Sequence, residues 1–428
     1  MRHNGPMTSV AELAALVPDA RTRLEGVASV TDVQHNPRLS VLTGSEIWLK
    51  REDLQPVRSY KLRGAHNLIA QLPEAEQRAG VVCASAGNHA QGVAFSCAQL
   101  GITATIFVPH TTPRQKRERI VAIGRGHVEL QMAGSTYDEA SHASKEFAAA
   151  KGRTMVPAFD DPRTIAGQAT CFAEAFDQLG FVPDVVVIPV GGGGLLAGAS
   201  AWIRANHPEV RIVGVEPEGA PCVAAALSAG RPMELHEIDT FVDGAAVSRM
   251  GDIPFDVVRE ARPELVRVPE GQVCSEMLDM YQIDGIIAEP AGALAAAALP
   301  TGGIGPRIQI PQGQRVLVLV SGGNNDVARY AEVVERSLIH EGRKHYFLVS
   351  FPQRPGALRR FLDEVLGPDD DITHFEYVKR SSRETGPAMV GIELGNPDDY
   401  RFLMQRIEDV GMQVEPISTG SPLFRFLV

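Results

Sequence analysis

The sequence has few cysteines, and their spacing indicates neither disulfide bonds nor a metal site. The chain of 428 residues contains five cysteines, with no Cys-x-x-Cys motif and no cluster of histidines beside them. A disulfide framework needs cysteines in a pairing pattern, and a structural zinc site needs clustered ligands, so neither is expected. We therefore predict free, buried thiols in a reducing compartment. The cysteines stand at positions 83, 97, 171, 222 and 274.

Long apolar runs and an excess of positive charge are also absent. No window approaches the roughly 18 apolar residues that a membrane span requires, and the run Ala291–Leu299 suits a buried helix. A formal net charge of −11 disfavours nucleic acid or an anionic membrane as the main partner. Met1–Val10 has no apolar segment behind a basic stretch, so no signal peptide is predicted. We expect a cytoplasmic protein.

Most of the chain has the pattern of an α/β protein. Its length exceeds what one compact core usually supports, which predicts at least two domains. Over the first three-quarters, short apolar runs alternate with helix-length segments, as in parallel sheets covered by helices on both faces. Such sheets bind ligands at the carboxyl ends of their strands. The predicted strands are Val81–Ala84, Thr103–Val108, Val185–Val190, Arg211–Val215 and Val316–Val320.

The C-terminal stretch follows another pattern. After a helix over Asp326–Ile339 and a charged connector, Glu341–His345, the elements alternate as βαββαβ, which predicts a ferredoxin-like α+β domain. We place a catalytic domain at residues 1–340 and a second domain at 345–428. The predicted strands are Tyr346–Phe351, Ile372–Arg380, Ala388–Leu394 and Met412–Ile417, and the helices are Gly356–Val365 and Pro397–Val410.

One lysine stands in an unusual setting, the motif SYKLRGA over Ser59–Ala65. A lone lysine is most often a solvated surface charge. Lys61, however, lies between aromatic and aliphatic neighbours at the predicted start of a helix. Burial there would lower the pKa of its amine and leave a nucleophile, which imine chemistry requires.

Two glycine-bearing loops directly follow predicted strands. The loop Ser85–Gly92 (SAGNHAQG) leads into a helix, whose N-terminal N–H groups favour a phosphate or a carboxylate; a helix cap by Ser85 with nothing bound is the alternative. The run Gly191–Gly194 is costly in backbone entropy for a mere turn, and a nest of N–H donors around a phosphate would account for it. It lacks the spacing of a dinucleotide site. Ser321–Asn324 (SGGN) is a weaker signal of the same kind.

Together these motifs resemble those of the fold type II pyridoxal-phosphate enzymes. The set SYKLRGA, SAGNHAQG, VGGGGLLAG, EPAGA (Glu289–Ala293) and SGGN is most similar to that of the biosynthetic threonine dehydratases. The resemblance spans nearly the whole chain and implies the cofactor pyridoxal 5′-phosphate. The segment Phe351–Leu358 is similar to the ACT-like regulatory domain of the isoleucine-sensitive enzymes.

The resemblance implies a role for each matching residue. Lys61 would bind the cofactor as an imine and then act as the base that removes the Cα proton. Asn88 would hydrogen-bond the phenolic oxygen of the cofactor, and Ser321 would face the pyridine nitrogen, a neutral partner that suits β-elimination. The phosphate would be held by the backbone N–H groups of Gly191, Gly192, Gly193, Gly194 and Leu195. The substrate carboxylate would be bound by the loop formed by Ser85, Ala86, Gly87, Asn88 and His89.

Two positions depart from the patterns of relatives. Related serine racemases carry a second hydroxyl where this chain has Ala86, so one-sided chemistry is expected and racemisation is disfavoured. Metal-dependent relatives use two acidic side chains near Glu216–Cys222, but here Cys222 stands at the second position. A hard divalent cation would lose an oxygen ligand there. We therefore predict no divalent metal and leave a monovalent ion open.

The expected reaction is the deamination of L-threonine to 2-oxobutanoate and ammonia by β-elimination of water, the first step of isoleucine synthesis. L-Serine is the alternative substrate, and isoleucine is the expected allosteric effector. A homo-oligomer, either a dimer or a tetramer, is expected. Two other functions remain open: a degradative serine/threonine dehydratase of broad specificity, and an amino-acid sensor without catalysis. The C-terminal domain counts against the first, and the retention of Lys61 and Asn88 counts against the second.

Overall fold

The computed structural model describes residues 8–300, 305, 307–377, 384–418 and 421–427. The chain divides into two compact units, Met1–Asp326 and Val327–Val428. The division comes before the connector predicted at 340–345, because the helix Tyr330–His340 contacts the first strand of the second unit. Within the part of the chain that is described, no helix is long and apolar enough to cross a membrane.

The first unit contains two sheets. The larger has six strands in the order β1-β2-β10-β7-β8-β9, and every pair is parallel except β1 with β2. The smaller has four parallel strands in the order β5-β4-β3-β6. The predicted parallel sheets are thus confirmed. The strands are β1 (Val33–His35), β2 (Glu46–Arg51), β3 (Val81–Ala84), β4 (Ala104–Val108), β5 (Val128–Met132), β6 (Thr154–Met155), β7 (Val185–Pro189), β8 (Arg211–Pro217), β9 (Glu264–Val268) and β10 (Arg315–Val320).

Helices connect these strands, and most begin and end at identifiable signals. The longest, α9, begins where the Asp161 side chain accepts the N–H of Arg163, and it ends at Gly180 with φ +67°. The helices are α1 (Val10–Ala15), α2 (Val17–Leu24), α3 (Pro37–Thr43), α4 (Lys61–Ile69), α5 (Glu74–Ala79), α6 (Asn88–Leu100), α7 (Arg114–Gly124), α8 (Tyr137–Lys151), α9 (Pro162–Leu179), α10 (Gly194–Asn206), α11 (Cys222–Ala229), α12 (Asp252–Ala261), α13 (Glu270–Gln282) and α14 (Pro290–Ala297).

The second unit is an antiparallel sheet with helices. Its four strands lie in the order β12-β13-β11-β14, which is the predicted ferredoxin-like arrangement. Phe347 of β11, Phe361 of α16 and Leu403 of α17 share one apolar core. Residues 378–380 of one predicted strand lie outside the described residues. The elements are α15 (Tyr330–His340), β11 (Lys344–Pro352), α16 (Ala357–Glu364), β12 (Asp371–Tyr377), β13 (Thr385–Glu393), α17 (Tyr400–Val410) and β14 (Gln413–Pro416).

Candidate active site

The candidate site is built on loops that follow three parallel strands, β3, β7 and β10. Each of these strands is followed by one of the predicted glycine-bearing segments, and a helix begins directly after two of them, at Asn88 and Gly194. β3 belongs to the smaller sheet and β7 and β10 to the larger, and in α/β sheets ligands bind at the carboxyl ends of the strands. Lys61 reaches the same region from the first residue of α4.

Two close helix crossings fix the position of Lys61. A Cβ at Gly92 of α6 would lie 3.0 Å from the carbonyl carbon and oxygen of Lys61, so a side chain there would push α6 and α4 slightly apart. On another side, a Cβ at Gly167 of α9 would lie 2.7 Å from the Cα of Gly64. Gly64 of SYKLRGA and Gly92 of SAGNHAQG are therefore crossing points that hold the start of α4 in place.

The amine of Lys61 is poised as a nucleophile. Its Nζ donates to the carbonyl of Ala158 at 3.3 Å and lies 5.3 Å from the ring centroid of Tyr60. Burial lowers the pKa of Lys61 to about 8, although the nearby Glu289 carboxylate favours the charged form. At pH 7 roughly a tenth of such amines are unprotonated, many times more than for an ordinary lysine.

The four glycines line the same pocket as Lys61, together with Leu195. Gly193 has φ +90° and caps α10, a helix of 13 residues. Two of the glycines also have a packing role, because a Cβ at Gly192 or Gly194 would lie 2.6–2.7 Å from Phe159. An amine and the N–H groups of a helix N-terminus thus share one pocket, which fits a cofactor with an aldehyde and a phosphate.

Asn88 is held at both ends of its side-chain amide. Its Nδ2 donates to Oε1 of Glu289 at 2.5 Å, and its Oδ1 accepts from Nδ2 of Asn324 at 2.7 Å. The residue opens α6 after the N-cap Gly87. This fixed amide leaves one Nδ2–H free of both contacts, which is the group that a phenolic oxygen would need.

Glu289 was not among the predicted site residues, although the structure places it beside them. It is 4% exposed, and burial raises its pKa to about 7, with the Asp243 carboxylate acting in the same direction. A Cβ at Gly322 would collide with its Oε1, so a side chain there would displace the carboxylate. The only sequence signal was EPAGA itself, where a glutamate before a proline marks a helix start.

Ser321 follows β10 and is buried. Its hydroxyl donates to the carbonyl of Ala291 at 3.1 Å, and its own carbonyl accepts the N–H of Tyr60. A hydroxyl has one proton, so donating to a ring nitrogen would require it to leave Ala291. The predicted contact between Ser321 and the pyridine nitrogen stays a prediction.

The loop predicted to bind a carboxylate presents small residues and N–H groups. Ser85 Oγ accepts the N–H of Gly87 at 3.2 Å, and a Cβ at Gly87 would meet open space. Ala86 is half-buried. His89 is different, because its Nε2 contacts the carbonyl of Val156 at 2.7 Å and burial lowers its pKa to about 4. His89 therefore stays neutral, and what it can offer to a carboxylate is its backbone N–H.

Glu216 and Cys222 have structural contacts of their own. The Glu216 carboxylate accepts the N–H groups of Val223 and Ala224 at the start of α11, and Cys222 Sγ donates to the carbonyl of Gly191 at 3.4 Å. Among the residues that are described, no group of three or more His, Cys, Asp or Glu side chains could hold a metal ion. The predicted absence of a divalent metal stays a prediction.

Comparisons with known proteins agree with this geometry. Residues 24–322 match the family of pyridoxal-phosphate dependent enzymes, and residues 335–427 match the C-terminal regulatory domain of threonine dehydratase. The chain is 52% identical to the biosynthetic L-threonine dehydratase of Mycobacterium leprae, over 96% of both chains. It is 50% identical to that of Corynebacterium glutamicum, over 99% of this chain and 97% of the relative.

Solved structures give the same fold. Threonine deaminase isoform 2 of Solanum lycopersicum superposes with a TM-score of 0.71 at 35% identity, covering 76% of this chain and 93% of the other. Maize serine racemase superposes with a TM-score of 0.68 at 27% identity, covering 76% and 98%. These matches confirm the predicted fold class and the predicted dependence on pyridoxal phosphate. The chain belongs to the pyridoxal-phosphate-dependent enzymes and, within that class, to the family of the biosynthetic threonine dehydratases.

Proposed function

We propose that this protein deaminates L-threonine to 2-oxobutanoate and ammonia, with loss and later uptake of one water. The observation that carries the proposal is the shared pocket of the Lys61 amine and the glycine run Gly191–Gly194. Bound pyridoxal phosphate would supply an electron sink for the bonds at Cα. The relatives named as threonine dehydratases, identical at half of the aligned positions, support threonine as the substrate.

The residues of the chain would divide the work. Lys61 would hold the cofactor covalently and, when the substrate takes its place, would remove the Cα proton, because its lowered pKa leaves a fraction of free base. The N–H groups from Gly191 to Leu195 would hold the phosphate. Asn88 would donate to the phenolic oxygen, and Ser321 would face the ring nitrogen.

Substrate binding would depend on the loop after β3. The N–H groups of Ser85–His89, at the start of α6, would hold the substrate carboxylate. Ala86 has no proton to deliver to the opposite face of Cα, so elimination should dominate over racemisation. L-Serine has the same β-hydroxyl and is the alternative substrate.

We further propose that the second unit senses isoleucine. Aromatic rings gather around the predicted effector segments, Phe351–Leu358 and Ile372–Tyr377: the centroid of Phe351 lies 6.0 Å from those of Phe375 and Tyr377. Phe375 and Tyr377 are more than a third exposed, so an apolar side chain can reach them. The regulatory domain named in the match over residues 335–427 supports this role. We also propose that the protein is a cytoplasmic homo-oligomer, either a dimer or a tetramer. It is proposed to have no nucleic-acid or membrane partner.

One assay tests the proposal. Production of 2-oxobutanoate from L-threonine is measured with and without millimolar isoleucine, and the purified protein is examined for a visible absorption band of bound cofactor. Turnover of threonine that isoleucine inhibits is expected. Turnover without any effect of isoleucine would favour the degradative dehydratase, and an absence of both cofactor and turnover would favour the sensor.

A further inference from the structure

A chain of hydrogen bonds leads from a backbone carbonyl to Glu289, and each step fixes the direction of the next. The carbonyl of Val57 can only accept, and it accepts from Nδ2 of Asn324 at 2.8 Å. The same Nδ2 lies 2.7 Å from the side chain of Asn88 and also donates there. Asn88 must therefore turn its acceptor, Oδ1, toward Asn324. Asn88 must then turn its Nδ2 toward Glu289, at 2.5 Å.

Glu289 lies where two donors converge. One is Nδ2 of Asn88, and the other is the backbone N–H of Asn324, which also bonds to the carboxylate. An ionised carboxylate offers acceptors to both donors and carries no competing proton, whereas a protonated carboxyl group or a carboxamide carries a hydrogen-bond donor of its own. A glutamine at this position replaces one of the two oxygens by an NH₂ group, so this buried side chain would offer one acceptor atom instead of two.

We propose that Glu289 is a positioning residue: its ionised carboxylate fixes the amide of Asn88 so that the remaining Nδ2–H faces the cofactor. This inference rests on the proposed function, because it assigns Asn88 to the phenolic oxygen of pyridoxal phosphate. It adds a residue that lies 201 positions from Asn88 in the sequence and contacts it directly.

The charged and titratable groups around Glu289 come from three segments. Lys61 and Tyr60 face it from the start of α4, Lys116 from α7 and Asp243 from the loop before α12. Burial raises the pKa of Glu289 to about 7, so the carboxyl group takes up a proton as the pH falls through neutrality. Protonation turns one acceptor into a donor, which has the same effect on Asn88 as the change to glutamine.

The first test is a titration of the apoprotein with pyridoxal phosphate, followed by the absorption of the bound cofactor. Glu289→Gln is expected to bind about tenfold more weakly than the unaltered chain, with an altered absorption maximum. Glu276→Gln is the matched control, because Glu276 is also buried with a pKa raised to about 7, yet pairs with Arg38 instead. A loss of threefold or more that the control lacks supports the inference, and a smaller loss overturns it.

The second test is the pH dependence of the same binding between pH 8 and pH 6. Lys61 titrates in this range in every variant, so the comparison must be between slopes. The unaltered chain is expected to lose affinity more steeply than Glu289→Gln, because it alone carries the second titrating group. Equal slopes would overturn the inference, since a merely structural role would leave the slope unchanged.

A second variant guards against misfolding. If Glu289→Gln does not fold, the same measurement is made on Glu289→Asp, which keeps the charge but is one methylene shorter. This variant is expected to bind pyridoxal phosphate more weakly and to keep the steep pH dependence. Binding equal to that of the unaltered chain would contradict the inference. Failure of the unaltered chain to bind pyridoxal phosphate would instead overturn the proposed function. The two failures are thus distinguishable.

Discussion

The two compact units bury different kinds of side chain. The first unit buries charged groups, among them Lys50, Glu52, Arg63 and Glu289, in addition to its apolar core. Among the described residues of the second unit, buried polar side chains are few, namely Ser337, Lys344, Tyr346 and Asp370. Buried charges are costly unless they are paired. In the first unit, part of the folding free energy is therefore spent on burying paired charges. The second unit has instead a mainly apolar core with partly exposed aromatic rings.

The largest effect on activity is expected at Lys61, the buried amine to which we assign cofactor binding and proton removal. Lys61→Ala should lower threonine turnover by at least about a thousandfold, because the covalent link to the cofactor and the base are lost together. The assay is the release of 2-oxobutanoate. Lys145→Ala, on the exposed face of α8, is the control and should behave like the unaltered chain. Appreciable turnover by Lys61→Ala at an unchanged fold would contradict the central assignment.

Arg63, two residues along the same helix, tests the structural half of the comparison. Its guanidinium donates to both oxygens of Glu52 at 2.8 Å and also reaches Glu174 at 3.1 Å, and Glu174 in turn pairs with Lys50. Arg63→Met would leave Glu52 buried without its partner. The free energy of unfolding should fall by about 3–5 kcal/mol, measured by urea denaturation.

A double variant supplies the control for this loss. Arg63→Met with Glu52→Gln removes one charge of each sign and leaves Lys50 paired with Glu174, so it should recover part of the lost stability. A double variant less stable than Arg63→Met by the full cost of Glu52→Gln alone would show that the two side chains do not interact.

In the second unit, substitutions of exposed rings should change the response to isoleucine, and this effect should be smaller than the loss at Lys61. Isoleucine is expected to shift the threonine saturation curve of the intact chain by roughly 5–150-fold, the usual range of an allosteric coupling. Phe375→Ala on β12 should reduce that shift. Phe402→Ala is the matched control, since Phe402 is a similarly exposed ring on α17. Equal shifts in the two variants would move the effector site away from β12.

The same contrast explains what could be predicted from the sequence. The strands β3, β7 and β10 and their glycine-bearing loops were predictable, because an apolar run and the glycines after it are local signals. β2 was not predicted: it carries Lys50 and Arg51, and charges usually mark a solvated segment. In the structure Lys50 is fully buried, and its charge is paired with Glu174, a contact between distant parts of the chain.

The candidate site was predictable to the same extent. Lys61, Asn88 and the glycine run stand in motifs whose letters are contiguous, so a resemblance could locate them. Glu289 could not be assigned a contact, because its partner Asn88 lies 201 positions earlier in the chain. The helix crossings at Gly64 and Gly92 were likewise invisible, since nothing local shows which other helix a glycine faces.

The smallest expected effect concerns the position beside the carboxylate loop, where the chain has no second proton donor. Formation of D-serine from L-serine should be negligible beside elimination in the unaltered chain, because Ala86 offers no exchangeable proton. Ala86→Ser adds a hydroxyl at a half-buried position and should raise any trace of racemisation, measured by chiral chromatography of the products. Ala133→Ser, at another half-buried alanine after β5, controls for an added hydroxyl elsewhere. If the unaltered chain already racemises serine at a rate comparable to elimination, then a second acid must reach Cα from a residue other than Ala86, and the one-base assignment of Lys61 would have to be given up.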